Sequence, residues 1–181
     1  GGNNPFYRKN VHKVLDVFSH IPASKKFHLT ITLHLSNIDR IHSSWQKHPN
    51  ITIINEHLSY KKITQLYQLH DVYIQLSTNE GLGINMYEAI NQNMSVITFD
   101  AVPYNEVILK TPSNRHLQCH QIKMMDNPEA LIKSCDFKNV DLERVVLNMI
   151  NNAIVKPVMD IEKKKKNIQA FHTRLFRNSL F

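Results

Sequence analysis

Glycine is scarce in this chain: four of its 181 residues are glycine, and two of them, Gly1 and Gly2, lie at its beginning. The sequence also lacks any run of about 18 apolar residues, so no membrane-spanning helix is predicted. Its first residues show no charged segment followed by an apolar one, so no signal peptide is predicted. These absences favour a soluble protein, for which we expect a cytoplasmic location.

Cysteine is rare as well, and the only two are Cys119 and Cys135. A disulfide framework or a zinc site needs more cysteines, or histidines at ligand spacing, than this sequence has. We therefore predict that both are reduced thiols of an intracellular protein. His116 and His120 are four residues apart, but their surroundings lack a helical pattern, so no metal site is predicted.

The remaining composition is that of a globular domain, with 42% hydrophobic and 20% charged residues. No repeat or low-complexity linker divides the chain, so residues 1–181 are predicted to form a single domain. The formal net charge of +7 is compatible with nucleic acid, a phosphorylated ligand or a membrane surface, and it does not choose among them.

Helical and strand-like patterns alternate along the first two thirds of the chain. Strands are predicted at Phe27–Leu35, Ile51–Ile54, Val72–Leu76 and Ser95–Phe99. Helices are predicted at Val11–His20, Ile41–Lys47, Lys61–His70, Met86–Gln92, Asn105–Leu109, Pro128–Ser134, Asp141–Ile154 and Asp160–Phe176. Strands joined by helices indicate right-handed βαβ crossovers and a parallel sheet covered on both faces, so the predicted fold class is α/β.

The second pair of glycines, Gly81 and Gly83, lies between a predicted strand and the helix that follows it. In a chain that otherwise avoids glycine, such positions require either a positive φ or a close approach of a ligand to the backbone. Loops at the carboxyl ends of parallel strands are where ligands bind, and a helix N-terminus favours a phosphate. A glycine pair in such a loop is also compatible with a plain tight turn.

Two carboxylates flank this loop: Glu80 precedes it, and Glu88 follows eight residues later. A carboxylate can accept hydrogen bonds from adjacent hydroxyls, such as those of a ribose or a hexose. A phosphate at the loop with a carboxylate on each side would suit a nucleotide-diphosphate sugar.

Residues 77–89, with the sequence STNEGLGINMYEA, resemble the E-x7-E signature of family-4 retaining glycosyltransferases. The resemblance extends over about residues 2–110 and includes the segments before and after the motif, QLYQLHDV, SVITFD and EVI. It implies a Rossmann-like parallel sheet with helices on both faces, the second domain of a GT-B glycosyltransferase. It also implies transfer of a hexose with retention of configuration, from a UDP-sugar or GDP-sugar, with no cofactor and no obligatory metal.

The resemblance implies a role for each matching residue. Glu80 would contact the hexose of the donor as the catalytic residue, and Glu88 would bind the ribose hydroxyls. The backbone around Gly81, including the amides of Leu82, Gly83 and Ile84, would meet the diphosphate and the sugar. Leu58 would lie near the nucleobase, although a plain core position explains it equally well.

The family places an Arg and a Lys on the donor phosphates, where two cations offset the charge of the leaving group. Lys9 matches the Lys, whereas Asn3 occupies the position of the Arg. Arg8 is a candidate substitute, with an ordinary solvent-facing loop residue as the alternative.

The resemblance further implies an N-terminal acceptor domain that these residues do not include, and a central strand before Gly1 that is missing or supplied by residues not shown. We expect the fragment to be inactive alone, and its acceptor, whether glycan, protein or lipid, is unknown. Two alternatives remain open: a module that binds a nucleotide without transfer, and a basic domain that binds nucleic acid.

Overall fold

A computed structural model describes residues 8–33, 41–78, 80, 83–102, 104–108, 114–120, 123–124 and 133–152. The helices within these ranges are α1 (Val11–His20), α2 (Ser43–Lys47), α3 (Tyr60–Leu69), α4 (Ile84–Asn91), α5 (Tyr104–Val107) and α6 (Asn139–Asn151). The strands are β1 (Leu29–Leu33), β2 (Ile51–Asn55), β3 (Val72–Gln75), β4 (Ser95–Phe99), β5 (Arg115–Leu117), β6 (Lys123–Met124) and β7 (Lys133–Ser134).

The strands form parallel sheets linked by helices, which confirms the predicted α/β, Rossmann-like fold class. β1 pairs with β2 in parallel, and β3, β4 and β5 form a second parallel sheet in that order. β6 and β7 form a short antiparallel pair. All five residues of β4 are buried, as expected for a strand with neighbours on both sides and helices on both faces.

Helix α1 forms because its apolar residues recur on one face. That face buries Val14, Leu15, Val17 and Phe18, and the helix packs against α6. Helix α1 is also joined to the segment before α6 through Lys13, whose Nζ bonds Asp136 Oδ1 at 2.5 Å and the carbonyl of Phe137 at 2.9 Å. Helix α1 is therefore fixed at both its apolar and its polar side.

Helix α3 is capped by Ser59, whose side chain accepts a hydrogen bond from the amide of Lys62. It nevertheless buries none of its residues, and Leu69 is 77% exposed. Its inner residues, together with β1 and β3, line a cavity of about 1230 Å³. Within the described residues β1 and β3 are not paired with each other, and the central strand implied by the family resemblance stays a prediction.

Several predictions of elements need correction. The predicted helix Pro128–Ser134 is wrong at its end, because Lys133–Ser134 is a strand paired with Lys123–Met124, and its other residues lie outside the described ranges. Strand β5 was not predicted, since His116 and its neighbours show no strand-like pattern. The predicted helix Asp160–Phe176 lies outside the described residues.

The two cysteines also differ from the prediction of reduced thiols. The sulfurs of Cys119 and Cys135 form a disulfide. The sequence could not reveal this pairing, because it depends on β5 and the β7 strand bringing residues sixteen positions apart into contact. The amide of Cys135 donates to the carbonyl of Thr78 at 2.6 Å, so the disulfide lies close to the loop that carries Glu80.

Candidate functional site

The candidate site lies where β3 ends and α4 begins. Gly83 is the N-cap of α4 and has a φ of 61°, which confirms that this position requires a left-handed backbone. A Cβ at Gly83 would also collide with the end of the Met86 side chain, which is fully buried. The glycine therefore allows the chain to turn sharply into the helix and presents the first backbone N–H groups of α4 to the site.

The N-terminal segment is attached to the same edge of the sheet. The carbonyl of Arg8 accepts hydrogen bonds from the amide of Thr78 at 2.7 Å and from its hydroxyl at 3.1 Å. The buried side chain of Asn10 donates to the carbonyl of Leu76 at 2.9 Å. These bonds hold the two basic residues Arg8 and Lys9 beside the loop that follows β3.

Five of the predicted site residues share a cavity of about 350 Å³. It is lined by Arg8, Lys9, Glu80, Gly83, Ile84 and Asn85. Two cationic side chains, one carboxylate and a helix N-terminus thus surround a space open to solvent. Such an arrangement favours an anion that also carries hydroxyl groups.

Glu88 lies on α4 and lines the neighbouring larger cavity, together with Tyr67 and Tyr73. Lys9 and Asn85 line both cavities, so the two spaces adjoin at these residues. One carboxyl oxygen of Glu88 accepts a hydrogen bond from the hydroxyl of Tyr67 at 3.4 Å. The second oxygen leaves acceptor capacity for a ligand hydroxyl.

Glu80 is held by a buried amide. The Nε2 group of Gln75 donates to Glu80 Oε2 and to Ser77 Oγ, both at 2.8 Å. The Oε1 atom of Gln75 accepts from the hydroxyl of Tyr73 at 2.8 Å. This chain of bonds fixes which end of the Gln75 amide faces the carboxylate, because an ionised carboxylate can only accept.

The tyrosines around the site are kept neutral. Burial, aided by the charges of Glu80 and Glu88 and opposed by a hydrogen bond from Asn85, raises the pKa of Tyr73 to about 12. Burial likewise raises the pKa of Tyr67, with Tyr73 and Glu88 adding to the effect. For Tyr104, burial and the charge of Glu80 raise the pKa, whereas Arg8 lowers it. Each phenol therefore remains a hydrogen-bond donor at neutral pH.

Leu58 is the one described residue among the predicted site residues that lines neither cavity. It follows β2 and is 8% exposed, so its contact with a nucleobase stays a prediction. Gly81, Leu82 and the substituted position Asn3 lie outside the described residues. Their roles stay predictions as well.

Asn10 and Gln75 were not among the predicted site residues. Asn10 has a φ of 52°, and a left-handed backbone is tolerated by asparagine more readily than by most residues. Gln75 is 4% exposed and stands at the end of an otherwise apolar strand. A polar residue at the end of a predicted strand, close to a carboxylate motif, is a sequence signal that could have identified Gln75.

No group of three His, Cys, Asp or Glu side chains in the described ranges is arranged to hold a metal ion. Nor, among those residues, does any helix combine the length and the hydropathy needed to cross a membrane. The absence of a metal from the reaction stays a prediction.

Comparison with known families gives a match over residues 4–126 to the family described as glycosyl transferases group 1. Two curated relatives match shorter stretches, and both are named UDP-N-acetylglucosamine--peptide N-acetylglucosaminyltransferase GtfA subunit. The protein from Streptococcus pneumoniae serotype 4 is 36% identical over 59 residues, which is 32% of this chain and 12% of the relative. That from Streptococcus parasanguinis is 38% identical over 45 residues, 25% of this chain and 9% of the relative.

Among solved structures, the crystal structure of a GtfA/B complex is similar in fold, with a TM-score of 0.62 and 16% sequence identity. The similarity covers 94% of this chain and 33% of that one. The chain thus spans about a third of the solved protein, and the aligned stretches are about a tenth of the curated relatives.

Proposed function

Because this chain belongs to the family of glycosyl transferases group 1, we propose that it is the donor-binding domain of a retaining, GT-B-type hexosyltransferase. The observation that carries the proposal is the small cavity that unites Arg8, Lys9, Glu80 and the N-terminus of α4. The E-x7-E pattern supplied by Glu80 and Glu88 supports membership of the retaining enzymes of family 4.

In this proposal the diphosphate of the donor binds at the start of α4. The backbone N–H groups of Ile84 and Asn85 and the positive end of the helix would hold its oxygens, since the first N–H groups of an α-helix have no partner in the preceding turn. Lys9 and Arg8 would add two positive charges to the same cavity. Negative charge grows on the nucleoside diphosphate as it leaves, so fixed cations lower the barrier without a metal.

The two carboxylates would hold the two sugars of the donor. Glu88, in the adjoining cavity, would accept hydrogen bonds from the ribose, with Leu58 near the base. Glu80, beside the phosphate position, would accept from the hexose and orient it for transfer. This division of roles follows the family resemblance and fits a ligand that extends from one cavity into the other.

The names of the relatives suggest a donor and an acceptor class. Both curated relatives are named for transfer of N-acetylglucosamine from UDP to a peptide. We therefore propose UDP-N-acetylglucosamine as the first donor to test and a polypeptide as the first acceptor. The acceptor surface would belong to a separate N-terminal domain of the same protein.

A thermal-shift screen with UDP, GDP, ADP and their sugar conjugates tests the proposal. A ligand that binds only the folded state raises the melting temperature, so UDP and UDP-N-acetylglucosamine should do so while ADP does not. Lys9→Ala should abolish the shift, whereas Lys47→Ala, on the exposed side of α2, should leave it unchanged. If no nucleotide shifts the melting temperature, the proposed function is wrong.

A second candidate is a module that binds the nucleotide without transferring sugar. Asn3 favours it, because an asparagine stands where the family has a phosphate-binding Arg. The Asn3→Arg variant separates the two candidates. It should tighten diphosphate binding at low salt if Asn3 occupies that position, and Arg8→Ala should weaken binding if Arg8 has replaced it.

The predicted cytoplasmic location is a separate question. It rested partly on reduced cysteines, and disulfides persist mainly in oxidising compartments. Fractionation of the source cells, followed by thiol labelling of the protein, tests the prediction.

A further inference from the structure

The carboxylate of Glu80 is held in place by a polar residue from inside the sheet. Gln75 is the last residue of β3 and is 4% exposed, and its Nε2 group lies 2.8 Å from Glu80 Oε2. The backbone of Gln75 is itself fixed, because its carbonyl accepts a hydrogen bond from the hydroxyl of Thr98 on β4 at 3.1 Å. The donor that faces Glu80 is therefore anchored to two paired strands.

Every polar atom of the Gln75 side chain has a defined partner. The Nε2 group donates to both Glu80 and Ser77, and the Oε1 atom accepts from Tyr73. Tyr73 in turn interacts with the side chain of Asn85, which lines the same small cavity as Glu80. A fully paired buried network has one low-energy arrangement, whereas a partly paired one is costly and disordered.

We propose that Gln75 is a positioning residue for Glu80: by holding one oxygen of the carboxylate, it sets the orientation in which Glu80 meets the hexose of the donor. This inference rests on the proposed function, since it assigns Glu80 to the sugar. Gln75 lines the larger cavity but not the small one that contains Glu80. Its side-chain amide is already paired with Glu80, Ser77 and Tyr73, so it acts through the carboxylate. The phenol of Tyr73 sets the orientation of the amide by occupying its oxygen.

Titration of UDP and of UDP-N-acetylglucosamine into the protein by calorimetry tests the proposal. Gln75→Leu keeps the size of the side chain and removes its hydrogen bonds. It should weaken binding of the sugar-linked donor by about tenfold and change binding of UDP by less than about twofold. Gln68→Leu is the matched control, because Gln68 pairs with Gln92 on the exposed surface. The Gln68→Leu variant should bind both ligands with unchanged affinity.

A double-mutant cycle separates positioning from general damage. If Gln75 acts only through Glu80, the Gln75→Leu change should have almost no further effect in the Glu80→Gln background. Equal losses in both backgrounds would overturn the proposal. If Glu80→Gln leaves binding of both ligands unchanged, then the role of Glu80 in the proposed function fails instead.

Gln75→Glu provides a pH-dependent test in a variant of nearly the same shape. Two carboxylates in contact repel each other, so donor binding should be weak at neutral pH. It should recover at lower pH, when the pair takes up one proton and can share it as a hydrogen bond. A pH profile parallel to that of the unmodified protein would contradict the proposal.

The contact can also be tested without any ligand. In the NMR spectrum, the side-chain amide of Gln75 should give a shifted, slowly exchanging signal. Glu80→Ala should move this signal and speed its exchange, while Glu88→Ala should leave it unchanged. If the Gln75 signal has the same shift and exchange rate in Glu80→Ala as in the unmodified protein, the proposal is overturned, even if no nucleotide binds.

Discussion

Gly83 is the residue on which the geometry of the site most depends. Its φ of 61° is costly for any residue with a Cβ, and the added atom would collide with buried Met86. Gly83→Ala should therefore destabilise the fold by about 1–2 kcal/mol and displace the start of α4. Nucleoside diphosphate binding should fall with it, as measured by calorimetry.

Asn93 offers a matched control for that substitution. It has the same φ of 61° but lies after α4 and lines neither cavity. Asn93→Ala should lower the melting temperature while leaving nucleotide affinity intact. Equal losses of affinity in the two variants would show that Gly83 matters only for stability.

Tyr73 gives a prediction for alkaline pH. Its folded pKa of about 12 lies above the ordinary value of 10.0, so its contribution to stability is complete below pH 10 and is lost as the pH rises toward 12. Tyr73→Phe should make the free energy of unfolding less dependent on pH above 10. Denaturant unfolding at pH 8 to 11 measures this, and identical slopes in both proteins would contradict the burial of this phenol.

At the scale of elements, α1 and β4 were predicted correctly because local pattern and burial agree. Helix α1 has one apolar face, and every residue of β4 is buried. The β5 and β7 strands were missed because these short segments show no strand-like pattern, and only their pairing with β4 and β6 defines them as strands. His116, for example, lies opposite Thr98 in the sheet, and nothing near it in the sequence indicates that position.

The site residues also divide into those with a local sequence pattern and those defined only by contacts in the fold. The motif allowed Glu80, Gly83 and Glu88 to be predicted, since their spacing is visible in the sequence. The supporting residues were not predicted. Gln75 and Asn10 act through contacts with Glu80 and Leu76 that only the fold creates.

The disulfide joins the end of β5 to the segment after β7, and it yields a prediction at this scale. Closing a loop of about 16 residues is worth roughly 3 kcal/mol in the chain-entropy account. Dithiothreitol should therefore lower the free energy of unfolding by about 2–4 kcal/mol. A variant with both cysteines replaced by serine should be insensitive to the reductant.

Thiol titration of the unfolded, unreduced protein checks the same feature directly. The structure predicts no reactive thiol at Cys119 or Cys135. Two reactive thiols would restore the original prediction of reduced cysteines and remove the argument against a reducing compartment.

At the scale of the molecule, the chain spans about a third of the solved protein it resembles. Orienting an acceptor against the donor supplies up to roughly 7–11 kcal/mol of the barrier in well-aligned reactions. We therefore expect these 181 residues to bind a nucleoside diphosphate and transfer no sugar. Release of UDP and labelling of peptide acceptors measure this, and steady turnover would show that the catalytic groups all lie within these residues.

The net charge of +7 leaves nucleic acid as a rival ligand. The affinity for nucleic acid would fall steeply as the salt concentration rises, and removal of Glu80 or Glu88 would not lower it. The affinity for a nucleotide sugar would instead fall when either Glu80 or Glu88 is removed.

That dependence provides the most direct test of the central claim, that one site holds the nucleotide with Glu88 and the sugar with Glu80. Calorimetry compares UDP with UDP-N-acetylglucosamine in the unmodified protein, in Glu88→Ala and in Glu80→Ala. Each lost charge-assisted hydrogen bond is worth roughly 1.5–3 kcal/mol, so Glu88→Ala should weaken both ligands, and Glu80→Ala should weaken only the sugar-linked one. Equal losses for both ligands in both variants would contradict the account.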